Sequence, residues 1–413
     1  MALALRLAYV WQVGRLSLVT PEDLDPAFYY NWGKEIAAGH WLGTAPFVQS
    51  PLYAYLLGLL MKLLGTQVPR LLVVQALVGC GTVLLTYLAA RRMLGPGHGL
   101  AAGLLLALYG PFIFYEGMVM KTFLSPFLTV ALLLLLDRAR DLSAPLPPAR
   151  PRGLLGGATA AFAAAGLLYG VITLDRDNFI LLAPVLALVA AWLGGGLTRR
   201  GLRAAGWFTL GTVLAIAPVT LRNWAVSHDF VLLTTGGGEV FFIGNNADAN
   251  GLYVPPPFVR PDPRYEHADF IQRASEIAGH TLTPMQSSWF WFRQALQFMI
   301  GEPLAWLRLE GRKLLHFWNY YELPDNLDYE ILQRFSPLLD RLNAALPPAG
   351  WPTLRLPSPV GLVPVRVHLL STFGTVAPLG LLGLFLTWRR WRRLLPLYVL
   401  LFGYMATVML FFN

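Results

Sequence analysis

The sequence predicts an all-α polytopic membrane protein, a multi-span helical bundle carrying an exocytoplasmic mixed, mainly helical domain. Three observations carry that expectation. Of 413 residues, 55% are hydrophobic and only 13% charged, with a mean hydropathy of +0.52, more apolar character than a soluble core requires. Apolar runs of membrane-spanning length recur along the chain. Short arginine clusters stand between them: Arg91 and Arg92, then Arg138, Arg140, Arg150 and Arg152, then Arg199, Arg200 and Arg203, then Arg389, Arg390, Arg392 and Arg393. That is the positive-inside pattern.

The net charge of +9 lies largely in these connections. It forms no basic groove interleaved with aromatics, which argues against a nucleic-acid partner. The single cysteine, Cys80, sits in an apolar run as a small helix-facing residue. No intrachain disulfide is therefore possible, and the exposed parts must hold together by packing.

Placing the four arginine-rich connections in the cytoplasm gives nine expected spans, near residues 2–19, 69–90, 97–114, 122–136, 154–172, 179–196, 204–221, 366–387 and 394–412. The first is short and contains Arg6 and Arg15, so the true start of the protein is expected upstream. The run Ser50 to Gly65 reads as an interfacial or re-entrant helix opening at Pro51, with Lys62 snorkelling to the head groups. Three regions follow: an N-terminal bundle over 1–221 with a first outer loop at 20–66, an exocytoplasmic domain over 222–365, and C-terminal helices over 366–413. The middle region opens with Gly236-Gly237-Gly238-Glu239, Val240 to Ile243 and the turn Gly244-Asn245-Asn246. Amphipathic helices are expected near 265–279, 284–300 and 302–320, the second capped by Thr283 with Pro284 at its first position. Pro-rich punctuation falls at Pro255-Pro256-Pro257 and between Pro347 and Pro364.

Glu22, Asp23 and Asp25 crowd four residues directly after the first apolar run. Carboxylates beside a bilayer are well placed to take a proton from a hydroxyl, which makes Asp25 and Asp23 candidate catalytic groups. The ordinary alternative is that Asp25 caps a helix with Pro26 at its first position, and the two roles are compatible. Asp23-Leu24-Asp25 can also hold a divalent cation; no other cofactor is implied. The seven histidines show no metal-ligand spacing, and the chain has no P-loop, dinucleotide fingerprint or Gly-x-Ser-x-Gly elbow. Arg70, Lys121, Arg176 and Arg222 fall at the outer ends of expected spans, on the side of Asp25. There the positive-inside rule expects few cations, so they are candidates for the phosphate of a lipid-linked donor. Glu116, on the same side, joins Tyr29 and Tyr30 as a substrate-binding candidate.

Asp25 and Tyr29 are followed by Ile36-Ala37-Ala38-Gly39-His40-Trp41-Leu42 and by Gln49-Ser50-Pro51-Leu52-Tyr53-Ala54-Tyr55-Leu56-Leu57-Gly58-Leu59. This pattern resembles the first outer loop of bacterial GT-C membrane glycosyltransferases, family 39-like, of the protein O-mannosyltransferase and lipid A aminoarabinose transferase group. Val68-Pro69-Arg70-Leu71-Leu72, Leu174-Asp175-Arg176-Asp177-Asn178 and Pro218-Val219-Thr220-Leu221-Arg222-Asn223 extend the likeness. The resemblance implies a polyprenyl-phosphate sugar donor, a base at Asp25 and a lipid, glycan or protein hydroxyl as acceptor. It also implies a site on the outer face of a bacterial cytoplasmic membrane, in contact with membrane lipids. Pro26 stands where the family has a second acidic residue, so Asp23 would substitute from the other side. Relatives continue past Asn413 with further spans, so a truncated member is expected. A transporter or flippase of a lipid-linked sugar, or a non-catalytic truncated relative, stays open as an alternative.

Overall fold

The computed structural model describes residues 1–14, 21–22, 24–144, 156–318, 329, 336–344, 353–358, 361–366 and 373–411. Its architecture is all-α and polytopic, apart from one hairpin. The helices are α1 (Ala2–Val13), α2 (Leu24–Ala37), α3 (Leu52–Leu64), α4 (Val68–Leu94), α5 (Pro96–Leu108), α6 (Gly110–Glu116), α7 (Leu124–Ser143), α8 (Gly157–Asp175), α9 (Ala183–Gly195), α10 (Arg199–Ser227), α11 (Gly237–Gly244), α12 (Glu266–Ala278), α13 (Pro284–Gly301), α14 (Pro303–Phe317), α15 (Pro337–Ala344), α16 (Phe373–Leu386) and α17 (Trp391–Met409).

Among the described residues, five helical stretches are long and apolar enough to cross a membrane: Val68–Leu94, Lys121–Ser143, Gly157–Asp175, Asp177–Gly195 and Arg199–Ser227. The expected span at 97–114 is instead a pair, α5 and α6, bent by 57°. Tyr109 leaves the helix with ψ 108, and Pro111 opens the next one, where its missing N–H costs nothing. The expected first span corresponds to α1, 12 residues long, with residues 15–20 outside the described part. The eighth corresponds to α16, 14 residues with Pro378 inside. The ninth corresponds to α17, whose first turn carries Arg392 and Arg393. The expected interfacial helix is α3, apolar and 13 residues long.

The chain divides into two compact units. One comprises Met1–Gly39, Ala54–Phe127 and Leu314–Trp391. Within it α2 and α3 meet through glycines: a Cβ at Gly58 would come within 2.6 Å of Ile36, and one at Gly33 within 3.0 Å of Leu57. Strand β1 (Thr353–Ser358) pairs antiparallel with β2 (Gly361–Arg366), Thr353 opposite Arg366, in the segment read as Pro-rich punctuation.

The other unit comprises His40–Tyr53, Leu128–Lys313 and Arg392–Asn413. Small residues let α8 and α10 touch backbone to backbone. A Cβ on Gly166 would run into the Phe208 carbonyl, one on Gly211 into that of Ala163, and one on Gly170 would lie 2.5 Å from Ala215. Thr212 Oγ1 donates to the Gly166 carbonyl across this seam at 3.2 Å. Gly166→Val is therefore expected to cost about 1–3 kcal/mol by overpacking. Gly206→Ala, on α10 with nothing within 4 Å of the added carbon, should be neutral. Thermal unfolding of both variants in detergent checks this.

In the same unit, residues of α11, α12 and α13 pack with Val259 into a cluster of Ile243, Val259, Phe270, Ala274 and Trp291. Trp291 stacks on Phe258 at 5.3 Å and donates its indole N–H to the Phe270 carbonyl at 3.1 Å. α13 starts with a full capping box. Thr283 Oγ1 accepts from the Gln286 N–H, and Gln286 Oε1 accepts from the Thr283 N–H. Cohesion here comes from aromatic packing and caps, as a chain with one cysteine requires.

Candidate active site

In the first unit three of the candidates, Asp25, Tyr29 and Tyr30, lie on α2. Leu24 enters the helix with φ +56, in the left-handed region, and Asp25 lies half-buried in the first turn. A carboxylate there faces the positive end of the helix. Asp23 lies outside the described residues. Tyr29, one turn after Asp25 and on the same side of the helix, is fully buried. Its ring stacks on Trp32 and meets the edge of Phe28. The ammonium of Lys121 stands 5.5 Å from the Tyr29 ring centroid, within reach of a cation–π contact. Tyr29 thus links the start of α2, where Asp25 stands, to Lys121.

Tyr30 and Arg70 serve a different place. Tyr30 donates its hydroxyl to the Thr66 carbonyl at 2.7 Å, under the Lys34 ammonium at 4.4 Å from its ring. Arg70 Nη1 donates to the Leu64 carbonyl at 2.7 Å, satisfying the open end of α3. Both fasten the turn between α3 and α4.

Glu116 is nearly sealed from solvent and pairs with Arg6, Nε to Oε2 at 2.6 Å and Nη2 to Oε1 at 3.1 Å. The Gln75 amide donates to the carbonyls of Glu116 and Met118 at 2.8 and 2.7 Å. A side chain on Gly79 would collide with the Glu116 carboxylate, so glycine is what lets α4 lie against the pair. This network pins the segment running from α6 towards Lys121. In the sequence Arg6 was only an irregularity of a short span.

In the second unit, the Arg222 guanidinium stands over Phe47, 3.8 Å from the ring centroid. It donates to the carbonyls of Leu42 and Ala45 and to Asn223 Oδ1. Asn223, fully buried, accepts from the Phe47 N–H and donates to the carbonyls of Val231 and Leu233. Together they tie the 42–47 loop to the end of α10. Arg176 is half-buried where α8 ends, its N–H donating to the Ile172 carbonyl. Its neighbour Asp177 donates its N–H to Ser50 Oγ at 3.2 Å and accepts from Thr234 Oγ1 at 2.6 Å. Arg176 and Arg222 therefore both adjoin the 42–50 loop.

Sequence reasoning missed one pair altogether. Glu239 on α11 is nearly fully buried, with both carboxylate oxygens 2.9 Å from His267 Nδ1 on α12. Burial pushes the Glu239 carboxyl up to about 7, against the lowering effect of the His267 hydrogen bond and charge; Glu266 pushes it further up. Burial likewise lowers Lys313, held by Glu310 at 2.7 Å and Asn245 at 3.3 Å. Among the described residues no group of three His, Cys, Asp or Glu side chains is arranged around a possible metal position.

Residues 48–146 match the family model described as dolichyl-phosphate-mannose-protein mannosyltransferase. The matched stretch runs from the 42–50 loop through α3, α4, α5, α6 and α7 and includes Arg70, Glu116 and Lys121. Neither the curated proteins nor the solved structures offer a match to this chain. The likeness over residues 48–146 and the spanning helices support a multi-pass membrane glycosyltransferase of the GT-C type, similar in this stretch to the mannosyltransferase family.

Proposed function

We propose that the protein transfers one sugar, with inversion, from a polyprenyl phosphate to a hydroxyl of a lipid, glycan or protein on the outer face of a bacterial cytoplasmic membrane. The acceptor oxygen bonds to the anomeric carbon as the bond from that carbon to the phosphate oxygen breaks. The acceptor proton passes to Asp25, and the electron pair leaves with the phosphate. What supports this reading most is the place of Asp25 one turn before Tyr29, whose ring lies 5.5 Å from the Lys121 ammonium, a cation in the stretch that matches the mannosyltransferase family. Lys121, Arg176, Arg222 and Arg70 are proposed for the donor phosphate from their places at the outer ends of spans. The contacts of Arg222 and Arg70 with loop carbonyls add a positioning role to both. Asp23 is proposed as the auxiliary carboxylate, with a divalent cation as an optional companion of the two. Tyr30, Tyr29 and Glu116 are proposed to shape the substrate site.

A transporter of lipid-linked sugar is the second reading. The bent α5–α6 pair beside the buried Arg6–Glu116 ion pair favours it, since broken helices and buried charges line transport paths. Protein reconstituted in vesicles with sugar-labelled polyprenyl-phosphate mannose and envelope extract separates the two. Label on the acceptor is the transferase result, and intact donor on the opposite leaflet is the transporter result. The orientation has its own check, in a Cys80→Ala background. Asn250→Cys should react with an impermeant thiol reagent on intact cells. Leu197→Cys, at an exposed position, should react only after permeabilisation; the reverse would place the site inside.

A further inference from the structure

The Glu239–His267 pair has no part in the reaction proposed above, yet it is built into the same unit as Arg176. α11 starts in a crowded place that only glycines allow. The Gly238 N–H donates to Ser288 Oγ at 3.0 Å, a Cβ there would strike the Ser288 carbonyl, and one on Gly236 would lie 2.8 Å from the Val48 carbonyl. Glu239 thereby faces His267 on α12, its carboxylate 2.9 Å from Nδ1, while the other ring nitrogen, Nε2, lies 3.4 Å from Thr235 Oγ1. The backbone of this segment is laid against the loop. Thr235 N–H donates to the Phe47 carbonyl at 2.8 Å and Gly236 N–H to that of Val48 at 3.3 Å. The preceding residue, Thr234, grips Asp177, whose N–H reaches Ser50. A continuous series of contacts thus runs from the pair to the turn that carries Arg176. A buried carboxylate is costly unless it is partnered, and a buried pair is weak evidence for stability.

We infer that the Glu239–His267 pair is a positioning element: it holds the 234–236 segment, and through Thr234 and Asp177 the 175–178 turn, so that the Arg176 guanidinium meets the phosphate of a lipid-linked donor. The inference rests on the reading of Arg176 as a donor-phosphate contact.

The test uses full-length protein in nanodiscs with polyprenyl phosphate as the probe. Hydrogen exchange over residues 174–180 and the Kd for the probe are measured for His267→Gln, Glu239→Gln, Thr234→Val, Thr234→Ser and Arg176→Gln. Thr235→Val, which removes the hydroxyl facing Nε2 without touching the pair, serves should a pair variant fail to fold. His267→Gln, Glu239→Gln and Thr234→Val are expected to speed exchange at 175–178 and weaken the probe by about tenfold each, while Thr234→Ser retains both properties. Wild-type exchange and affinity in the pair variants, or in Thr235→Val where it replaces them, would overturn the inference. Faster exchange with probe affinity unchanged there and in Arg176→Gln would keep the link to the turn and remove Arg176 from the donor site.

Discussion

Asp25→Asn is expected to lower sugar transfer by about 10²–10⁴-fold, the usual contribution of a general base. The substitution keeps the shape of the side chain and leaves Tyr29, Trp32 and Lys121 where they are. Its other effect, the loss of one negative charge at the start of α2, should cost only about 0.3–1 kcal/mol of stability. Transfer kinetics and thermal unfolding measured on the same preparation separate the two effects. A fall in kcat with a melting temperature lowered only slightly and unchanged affinity for polyprenyl phosphate is the outcome for a base. Equal loss of activity and stability would make Asp25 a helix-end residue only.

The largest stability effect is expected at the Arg6–Glu116 pair. Both side chains are almost completely enclosed, at 1% and 2% exposure, so neither charge can turn to water when its partner is removed. Arg6→Met should therefore destabilise by about 3–5 kcal/mol, the cost of a stranded buried charge. Arg6→Met combined with Glu116→Leu should recover most of that loss, because the Gln75 bonds go to backbone carbonyls and survive. Unfolding in detergent of the two single variants and the double variant reads this directly. A double variant as unstable as Arg6→Met would show that Glu116 acts through something other than its partner. Because this pair fastens the segment leading to Lys121, the double variant also reports whether a charged clamp is needed for transfer or merely a well-packed one.

The helical architecture was legible because the signals that set it are local. Span-length apolar runs gave α4, α8 and α10 to within a few residues at most ends, and Thr283-Pro284 marked the start of α13, where the capping box stands. Gly110-Pro111 stands inside the third expected span, which was placed on hydrophobicity alone, so the bend at Tyr109 went unread. At the candidate site, the sequence brought out residues by type and by place along the chain, not by partner. Tyr29 and Lys121 lie far apart in sequence and meet only through packing. The contacts of Arg222 with Leu42 and Ala45 are likewise set by the path of the loop rather than by any motif. Glu239 and His267 are 28 residues apart on two helices, with nothing at either position to set them apart from a solvated glutamate and a surface histidine. Burial alone distinguishes them, and burial is a property of the fold.

The most direct measurement is release of polyprenyl phosphate from a panel of polyprenyl-phosphate sugars, with envelope extract as acceptor, by purified wild-type protein and Asp25→Asn. Acceptor-dependent release by wild type, lost in Asp25→Asn, is the result expected of a transferase with Asp25 as its base. No release by folded wild-type protein from any donor in the panel, with the labelled donor instead crossing the bilayer intact, would contradict it.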